Sequence, residues 1–266
     1  MPTDHGAVSR YALPRLSGRW QAVWRRNLKV WSRLLGPALL GNFGEPLLYL
    51  LALGYGLGSL VGEVGGMPYL VFLASGIVCG SAMNTATFEG LYSAYTRMTV
   101  QQTWAAMLAT PLDVEDVVLG EVIWAGTKSL ISAGAILVVA AWLGAVSDWA
   151  ALGVLPVVLL VGVCFGAMAL VMTAVATSYD FFLYYVTLLV TPMLLFSGVF
   201  FPLSRMPEAI QWAASALPLN HAVAVVRPLM TGQPVVGLWL HLGVLTAYGL
   251  AALYVAVVLL RRRLLR

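Results

Sequence analysis

The sequence predicts an all-α integral membrane protein with six transmembrane helices, on two observations. Hydrophobic residues make up 61% of its 266 residues and charged residues only 10%, a balance that a water-soluble domain does not need. Apolar stretches of about twenty residues recur along the chain, and a helix of that length crosses about 30 Å of hydrocarbon with its backbone paired internally. The predicted spans cover residues 36–57, 67–88, 120–143, 152–177, 181–201 and 235–260.

The distribution of basic residues predicts the orientation of these spans. Arginine and lysine are concentrated before the first span and after the last, whereas the loops 58–66 and 144–151 contain neither. Because positively charged flanks stay on the cytoplasmic side, we expect a multi-pass membrane protein with both termini in the cytoplasm. The net charge of +4 is then explained by topology and contact with anionic lipid, without any nucleic acid.

Three regions follow from this topology. Residues 1–35 form a cytoplasmic N-terminal segment, residues 36–260 the six-span domain, and residues 261–266 a basic cytoplasmic tail. Within the first region, a helix over 19–35 would place Trp20, Trp24 and Trp31 on one side and the basic residues on the other. That pattern is typical of a helix lying in the membrane interface, although a plain basic flank to the first span would also carry it.

Four charged residues lie near the predicted ends of spans and need an explanation, because an unpaired charge in the membrane is costly. These residues are Glu45, Glu89, Lys128 and Asp180. Pairing or snorkelling near the interface would explain them, and so would a role in transport. The three histidines are scattered without carboxylates at a useful spacing, so we expect no catalytic residue, no metal and no cofactor in this chain.

The loop between the second and third spans contains a candidate force-transmitting element. A proline, acidic residues in the first turn and spaced apolar residues predict a short capped helix beginning near Pro111. A transporter driven by a separate motor needs a rigid cytoplasmic helix to receive force, but a simple connecting loop could carry the same pattern. The candidate coupling residues are Thr110, Pro111, Leu112, Asp113, Glu115 and Asp116.

The segment after residue 191 predicts an interrupted span. Pro192, Gly198 and Pro202 should kink or end the fifth helix near its outer end. Residues 208–217 can then form a short amphipathic helix before Pro218. This arrangement predicts a helix that dips back into the membrane or rests on its outer face. Glycines spaced four residues apart are candidate sites of close helix contact, although some such spacings arise by chance. These glycines are Gly54, Gly58 and Gly62, Gly76 with Gly80, and Gly162 with Gly166.

This same segment resembles the signature region of type-2 ABC exporter permeases. The resemblance rests on the run Phe-Ser-Gly-Val-Phe-Phe-Pro at 196–202, Leu-Pro-Leu-Asn-His at 217–221 and Arg227-Pro228. Further segments resemble the nodulation branch of that family: Trp24-Arg25-Arg26-Asn27, Glu45-Pro46-Leu47-Leu48-Tyr49-Leu50, Ala86-Thr87-Phe88-Glu89, Leu119-Gly120-Glu121, Ser178-Tyr179-Asp180 and the arginine-rich tail.

The resemblance implies a transport subunit without enzymatic activity of its own. It implies a homodimer of six-span permeases bound to two copies of a cytoplasmic ABC ATPase of the nodulation protein I type, which consumes Mg-ATP. The implied cargo is an amphiphilic oligosaccharide, a lipo-chitooligosaccharide Nod factor, exported across the inner membrane. A permease for drugs or other amphiphiles is the alternative, and an ion-coupled secondary transporter is a weaker one because no internal repeat is visible.

Aromatic residues are candidates for the substrate path, since their rings can stack on sugars and also line an apolar route for an acyl chain. The candidates are Tyr49, Tyr92, Phe196, Phe200 and Phe201. Each could instead anchor the protein at the lipid interface.

Overall fold

The computed structural model describes residues 12–14, 17–34, 36, 44, 47–146 and 148–265. Its helices are α1 (Trp20–Trp31), α2 (Leu47–Val61), α3 (Tyr69–Val100), α4 (Thr103–Leu108), α5 (Val114–Trp142), α6 (Trp149–Val175), α7 (Asp180–Phe196), α8 (Glu208–Ser215), α9 (Pro218–Thr231) and α10 (Leu238–Leu264). A short hairpin of β1 (Glu63–Val64) and β2 (Met67–Pro68) joins α2 to α3, with Val64 opposite Met67. The prediction of an all-α membrane protein is confirmed.

Four of the described helices, α3, α5, α6 and α10, are long and apolar enough to cross a membrane. The pair α8 and α9, bent by 89°, would be a fifth span if the two are taken together. Helices α2 and α7 stand at the predicted first and fifth spans but are shorter than 18 residues. Most of residues 36–46, including Glu45, lie outside the described residues, so the predicted count of six remains a prediction.

The predicted ends of the second and third spans were wrong. Helix α3 continues to Val100 instead of ending at residue 88, and α5 begins at Val114 instead of residue 120. Hydropathy falls where charged residues begin, but charged residues that pair with one another can stay inside a helix bundle. Glu89, Arg97 and Glu121 lie in these extensions and pair in this way.

Helices α3, α5, α6 and α10 pack together as the centre of the bundle, with α1 against α5 and α9 against α3. The predicted close contact at Gly162 and Gly166 is confirmed. A Cβ on Gly162 would lie 2.7 Å from Gly126 Cα, and one on Gly166 would lie 2.8 Å from Ala125 Cβ. Since lipid provides no hydrophobic drive between helices, small residues that allow such approach hold α5 to α6.

The predicted interruption after the fifth helix is also confirmed. Helix α7 ends at Phe196, and Gly198 turns the chain with a φ of +77°, which glycine adopts without strain. The turn packs on Gly76 of α3, where a Cβ would overlap the backbone of Val199. The expected short helix follows as α8, and α9 turns away from it by 89°.

Arg227 of α9 fastens this turn to α3. It donates from Nη2 to Gly198 O at 2.7 Å and from Nε to Ser75 Oγ at 3.0 Å. Its guanidinium also lies 3.7 Å from the centroid of the Phe72 ring, a favourable cation–π position. One arginine therefore links α9, α3 and the turn after α7.

Both ends of the described chain meet at one end of the bundle, which we call the terminal end. Arg261 donates to Ala12 O at 2.6 Å and pairs with the Glu115 carboxylate. Arg263 donates to three carbonyls at the end of α6, those of Thr173, Ala174 and Ala176. The tail expected from residue 261 is thus helical through Leu264, and its arginines serve partly as internal partners because cations complement a helix C-terminus.

The expected amphipathic N-terminal helix is present as α1 and packs on α5, but the tryptophans are not its most buried residues. Its buried residues are Val23 and Asn27. Trp24 Nε1 donates to Thr127 Oγ1 at 3.0 Å, and the Trp31 ring meets the Trp124 ring edge-to-face at 6.1 Å. Two of the predicted tryptophans therefore anchor α1 to the bundle.

The close crossing of α5 and α6 leads to a first prediction. Gly162→Ala should lower the thermal unfolding midpoint in detergent, because the added methyl overfills the contact at a cost of about 1–3 kcal/mol. Gly134→Ala on α5 is the matched control, since a Cβ there meets nothing within 4 Å. Equal midpoints for the two variants would contradict the crossing.

Candidate functional site

A buried ion network joins α3 and α5 near the terminal end. Arg97 donates from Nη2 to Glu89 Oε1 at 2.7 Å and from Nε to Glu121 Oε1 at 3.0 Å. Nη2 also reaches Glu121 Oε2 at 2.5 Å. Two buried carboxylates would each be costly alone in a medium of low dielectric constant. The planar fork of one guanidinium contacts both.

Neutral N–H donors from α1, α4 and α5 also form hydrogen bonds to the two carboxylates. Trp124 Nε1 of α5 donates to Glu89 Oε1 at 3.0 Å. Trp104 Nε1 of α4 donates to Glu121 Oε1 at 3.2 Å, and Asn27 Nδ2 of α1 donates to Glu121 Oε2 at 3.2 Å. The network therefore fixes the positions of four helices, α1, α3, α4 and α5, relative to one another.

Lys128 forms the outermost part of the network. Its Nζ lies 2.8 Å from Glu89 Oε2, and 26% of its side chain is exposed, against 12% for Arg97. Glu89 and Lys128 thus pair across α3 and α5, as one of the two expectations had it, and a role in transport remains a prediction. Asp180 lies exposed at the start of α7, and Glu45 lies outside the described residues.

A cavity of about 600 Å³ opens along α3 between α2, α5 and α7. Its wall combines polar side chains with aromatic rings. The polar residues include Ser81, Asn84, Thr85 and Ser132, and the aromatic ones are Tyr49, Phe88, Tyr92 and Phe200. This volume and this mixture are typical of sites that bind small molecules. We call it the membrane cavity.

A second cavity, of about 370 Å³, lies toward α1 and is here called the α1 cavity. Arg26, Asn27 and Gln101 contribute to its wall. Four residues line both cavities, and we call them the junction: Glu89, Tyr92, Ser93 and Lys128. The edge of the ion network is therefore also the boundary between the two cavities.

Three of the five aromatic residues predicted for a substrate path line the membrane cavity: Tyr49, Tyr92 and Phe200. Phe196 and Phe201 do not line it and are 38% and 51% exposed. Tyr92 stacks on Phe88 at 5.6 Å, so two flat rings stand side by side on the cavity wall. Their role in a substrate path remains a prediction.

The predicted coupling residues do not form a separate helix. Thr110–Leu112 form a turn, and Asp113 caps α5 by a reciprocal capping box with Asp116. The separate short helix is α4, just upstream. Acidic residues and proline marked a helix start correctly, but the start is that of the long spanning helix.

The coupling residues also differ in exposure. Thr110, Pro111 and Asp113 are exposed, and Leu112 is partly buried. Glu115 pairs with Arg261, and Asp116 accepts a hydrogen bond from Ser17 Oγ at 2.5 Å. Thr110, Pro111 and Asp113 are therefore accessible to a partner protein. Glu115 and Asp116 instead hold the C-terminal and N-terminal segments against α5.

Sequence reasoning missed several members of the network: Asn27, Arg97, Trp104, Glu121 and Trp124. A signal was present on α5, where Glu121, Trp124 and Lys128 follow at intervals of three and four residues and so share one helix face. Recognising this shared face would have identified a polar stripe inside the predicted span 120–143.

Comparison with known proteins places this arrangement in a family. A sequence model described as "ABC-2 type transporter" matches residues 18–231, which include the ion network and the residues lining both cavities. The chain belongs to the ABC-2 type transporter family. It is therefore a multi-pass permease of an ABC transporter, a transport subunit and not itself an enzyme.

The ABC-2 permease is similar over nearly its whole length to proteins named nodulation protein J. It is 48% identical to that of Rhizobium leguminosarum bv. trifolii over 255 residues, covering 96% of this chain and 97% of the relative. It is 45% identical to that of Rhizobium meliloti (strain 1021), with 96% and 97% covered, and 43% identical to that of Bradyrhizobium diazoefficiens, with 99% and 100% covered. The resemblance predicted from sequence segments is confirmed.

The network leads to a second prediction. Arg97→Met should reduce the free energy of unfolding by about 3–5 kcal/mol, because it leaves buried Glu121 without a cation and Glu89 with Lys128 alone. The thermal unfolding midpoint of the purified permease measures this. Adding Glu121→Gln to Arg97→Met should restore part of the loss, and Arg25→Met, at an exposed position of α1, should change little. An Arg97→Met protein as stable as the wild type would contradict the network.

Proposed function

We propose that this ABC-2 permease is the transmembrane subunit of an ATP-driven exporter that moves a lipo-chitooligosaccharide Nod factor out across the bacterial inner membrane. The observation that carries the proposal is the membrane cavity. Its hydroxyl and amide groups suit a sugar head, and its stacked rings and aliphatic wall suit an acyl chain. The similarity to proteins named nodulation protein J supports the choice of cargo.

In this proposal the terminal end faces the cytoplasm. The excess of arginine and lysine beside the first predicted span and at the end of α10 supports that orientation. The α1 cavity then opens toward the cytoplasmic side, and the turn fastened by Arg227 lies toward the outside. A substrate would enter past the junction and leave near Gly198 and Phe200.

The working unit in this proposal is a homodimer bound to two copies of an ABC ATPase of the nodulation protein I type. ATP with Mg²⁺ is consumed by that partner and not by the permease. Exposed apolar side chains along α7, among them Leu183, Tyr184 and Leu188, offer a surface that a second subunit or lipid can cover. The family resemblance favours the second subunit.

In this proposal the ATPase contacts and moves α4 and the turn that follows it. Ala105, Ala106, Thr110 and Pro111 are exposed there. Arg19 Nη1 donates to Pro111 O at 2.8 Å, and Trp104 connects α4 to Glu121 in the network. Movement of α4 by the ATPase would thus reach the junction through Glu121 and Arg97 and rock the subunits between inward-open and outward-open states.

A third prediction separates docking from folding. The double variant Ala106→Arg/Thr110→Arg should weaken binding of the co-encoded ATPase at least about tenfold while leaving the unfolding midpoint unchanged, because both side chains are exposed. Glu115→Ala should instead lower the midpoint, since it leaves Arg261 buried without its carboxylate. Binding is measured by titration of labelled ATPase on permease in nanodiscs.

The charge-matched control for the docking variant is Ser204→Arg/Gln233→Arg, which alters two exposed positions away from the terminal end. It should bind the ATPase as the wild type does. If the two double variants bind equally well, the ATPase docks elsewhere.

A fourth prediction concerns the cargo. In proteoliposomes containing the permease and its co-encoded ATPase, a lipo-chitooligosaccharide should stimulate ATP hydrolysis, and the same oligosaccharide without its acyl chain should not. Stimulation by small hydrophobic drugs alone would indicate an efflux permease. Transport driven by a proton or sodium gradient without the ATPase would indicate a secondary transporter.

A further inference from the structure

Lys128 occupies a position that the pairing of helices does not fully explain. It lines both cavities, and more of its side chain is exposed than of any other charged group in the network's ion pairs, at 26% against 12% for Arg97 and 3% for Glu89. Asn84, Thr85 and Ser132 line the polar wall of the same cavity. An ionisable residue inside a membrane bundle and in contact with a cavity is a functional candidate by default.

The contacts of Glu89 make the Lys128 ammonium replaceable. Glu89 Oε1 accepts hydrogen bonds from Arg97 Nη2 at 2.7 Å and from Trp124 Nε1 at 3.0 Å, and Lys128 contacts only Oε2. If Lys128 turns away, Glu89 keeps a cation and a neutral donor. Arg97 has no such freedom, because it holds two carboxylates at once. Of the two cations that pair with carboxylates in the network, Lys128 can therefore exchange its partner at the lower cost.

Among the described residues that line the α1 cavity or pair with its lining, cations exceed carboxylates by one. Three cations, Arg26, Arg97 and Lys128, stand beside two carboxylates, Glu89 and Glu121. Arg26 donates to the Asn27 side chain and has no carboxylate partner within the described residues. Burial and the nearby Arg97 lower the pKa of the Arg26 guanidinium, with Glu121 opposing them. One added anion would balance the site.

We propose that Lys128 binds an anionic group carried by an amphiphile, a phosphate, sulfate or carboxylate, by exchanging Glu89 for that group at the junction. The acyl chain would lie in the membrane cavity against Phe88 and Tyr92, and the anionic head would sit between Lys128 and Arg26. The proposal rests on the proposed function only in that an amphiphile occupies these cavities. The anionic group could belong to the exported molecule or to a membrane lipid.

The test is binding of two probes with the same chain, dodecyl phosphate and neutral dodecyl maltoside, to the permease alone in phosphatidylcholine nanodiscs. Wild type should bind the phosphate at least about tenfold more tightly than the maltoside. Lys128→Gln should abolish this preference without changing maltoside binding, and Lys128→Arg should retain it, which separates the charge from folding. Lys29→Gln is the matched control, because Lys29 is the other lysine of the chain and lies exposed on α1.

Four outcomes distinguish the alternatives. A preference for phosphate that Lys128→Gln removes and Lys29→Gln leaves intact supports the site. If phosphatidylglycerol in the nanodisc competes with dodecyl phosphate in wild type but not in Lys128→Gln, the natural occupant is a lipid head group; if it does not compete, the occupant is a separate amphiphile. Equal affinity of wild type and Lys128→Gln for dodecyl phosphate overturns the proposal.

This experiment contains no ATPase, so its result is independent of the proposed assembly. A lipo-chitooligosaccharide that stimulates ATP hydrolysis while Lys128→Gln binds both probes as wild type does would refute the anion site alone. A Lys128-dependent preference for phosphate without any stimulation would refute the proposed cargo alone.

Discussion

The pairing of Glu89 and Glu121 with one guanidinium, that of Arg97, is the interaction on which the rest of the structure depends. Charges inside a membrane bundle persist only when they are paired or wetted, and this pairing requires α3 and α5 to stand at one relative height. Asn27 and Trp104 then fix α1 and α4 to the same carboxylate. Four helices thereby share one polar centre, and the short helix α4 is mechanically connected to it.

The membrane cavity lies beside this centre, since Glu89 and Lys128 form part of its wall. Helix α3 is locally widened over Glu89–Ser93 and Thr96–Val100, and π-helical turns of this kind are frequent at functional sites. They allow Glu89 to reach Trp124 and Lys128 on α5 while Tyr92 faces both cavities. At the far side, Arg227 holds the turn at Gly198 against α3, so that Val199 and Phe200 close the other end of the membrane cavity.

The sequence was sufficient for the fold class, the helix interruption after Phe196, the amphipathic N-terminal helix and the packing at Gly162. All of these depend on local pattern, namely hydropathy, glycine, proline and helical periodicity. The sequence was insufficient to predict contacts between residues that are distant in the chain. Hydropathy predicted that this span ends at residue 88, because it cannot detect that Arg97 and Lys128 neutralise the Glu89 carboxylate. The capping signals at Asp113 could not distinguish a loop helix from the start of α5. Tyr49, Tyr92 and Phe200 were selected as aromatic residues near the ends of predicted spans, but their meeting on one cavity needed three-dimensional structure.

The claim that the membrane cavity is the transport route is tested most directly by ATP-dependent accumulation of a labelled lipo-chitooligosaccharide in inside-out vesicles. The variant to measure is Asn84→Trp, which fills the cavity wall, beside Gly134→Trp, which adds the same side chain where a Cβ meets nothing within 4 Å. Asn84→Trp should abolish accumulation while still binding the ATPase, and Gly134→Trp should transport as the wild type does. Undiminished accumulation by Asn84→Trp would contradict it.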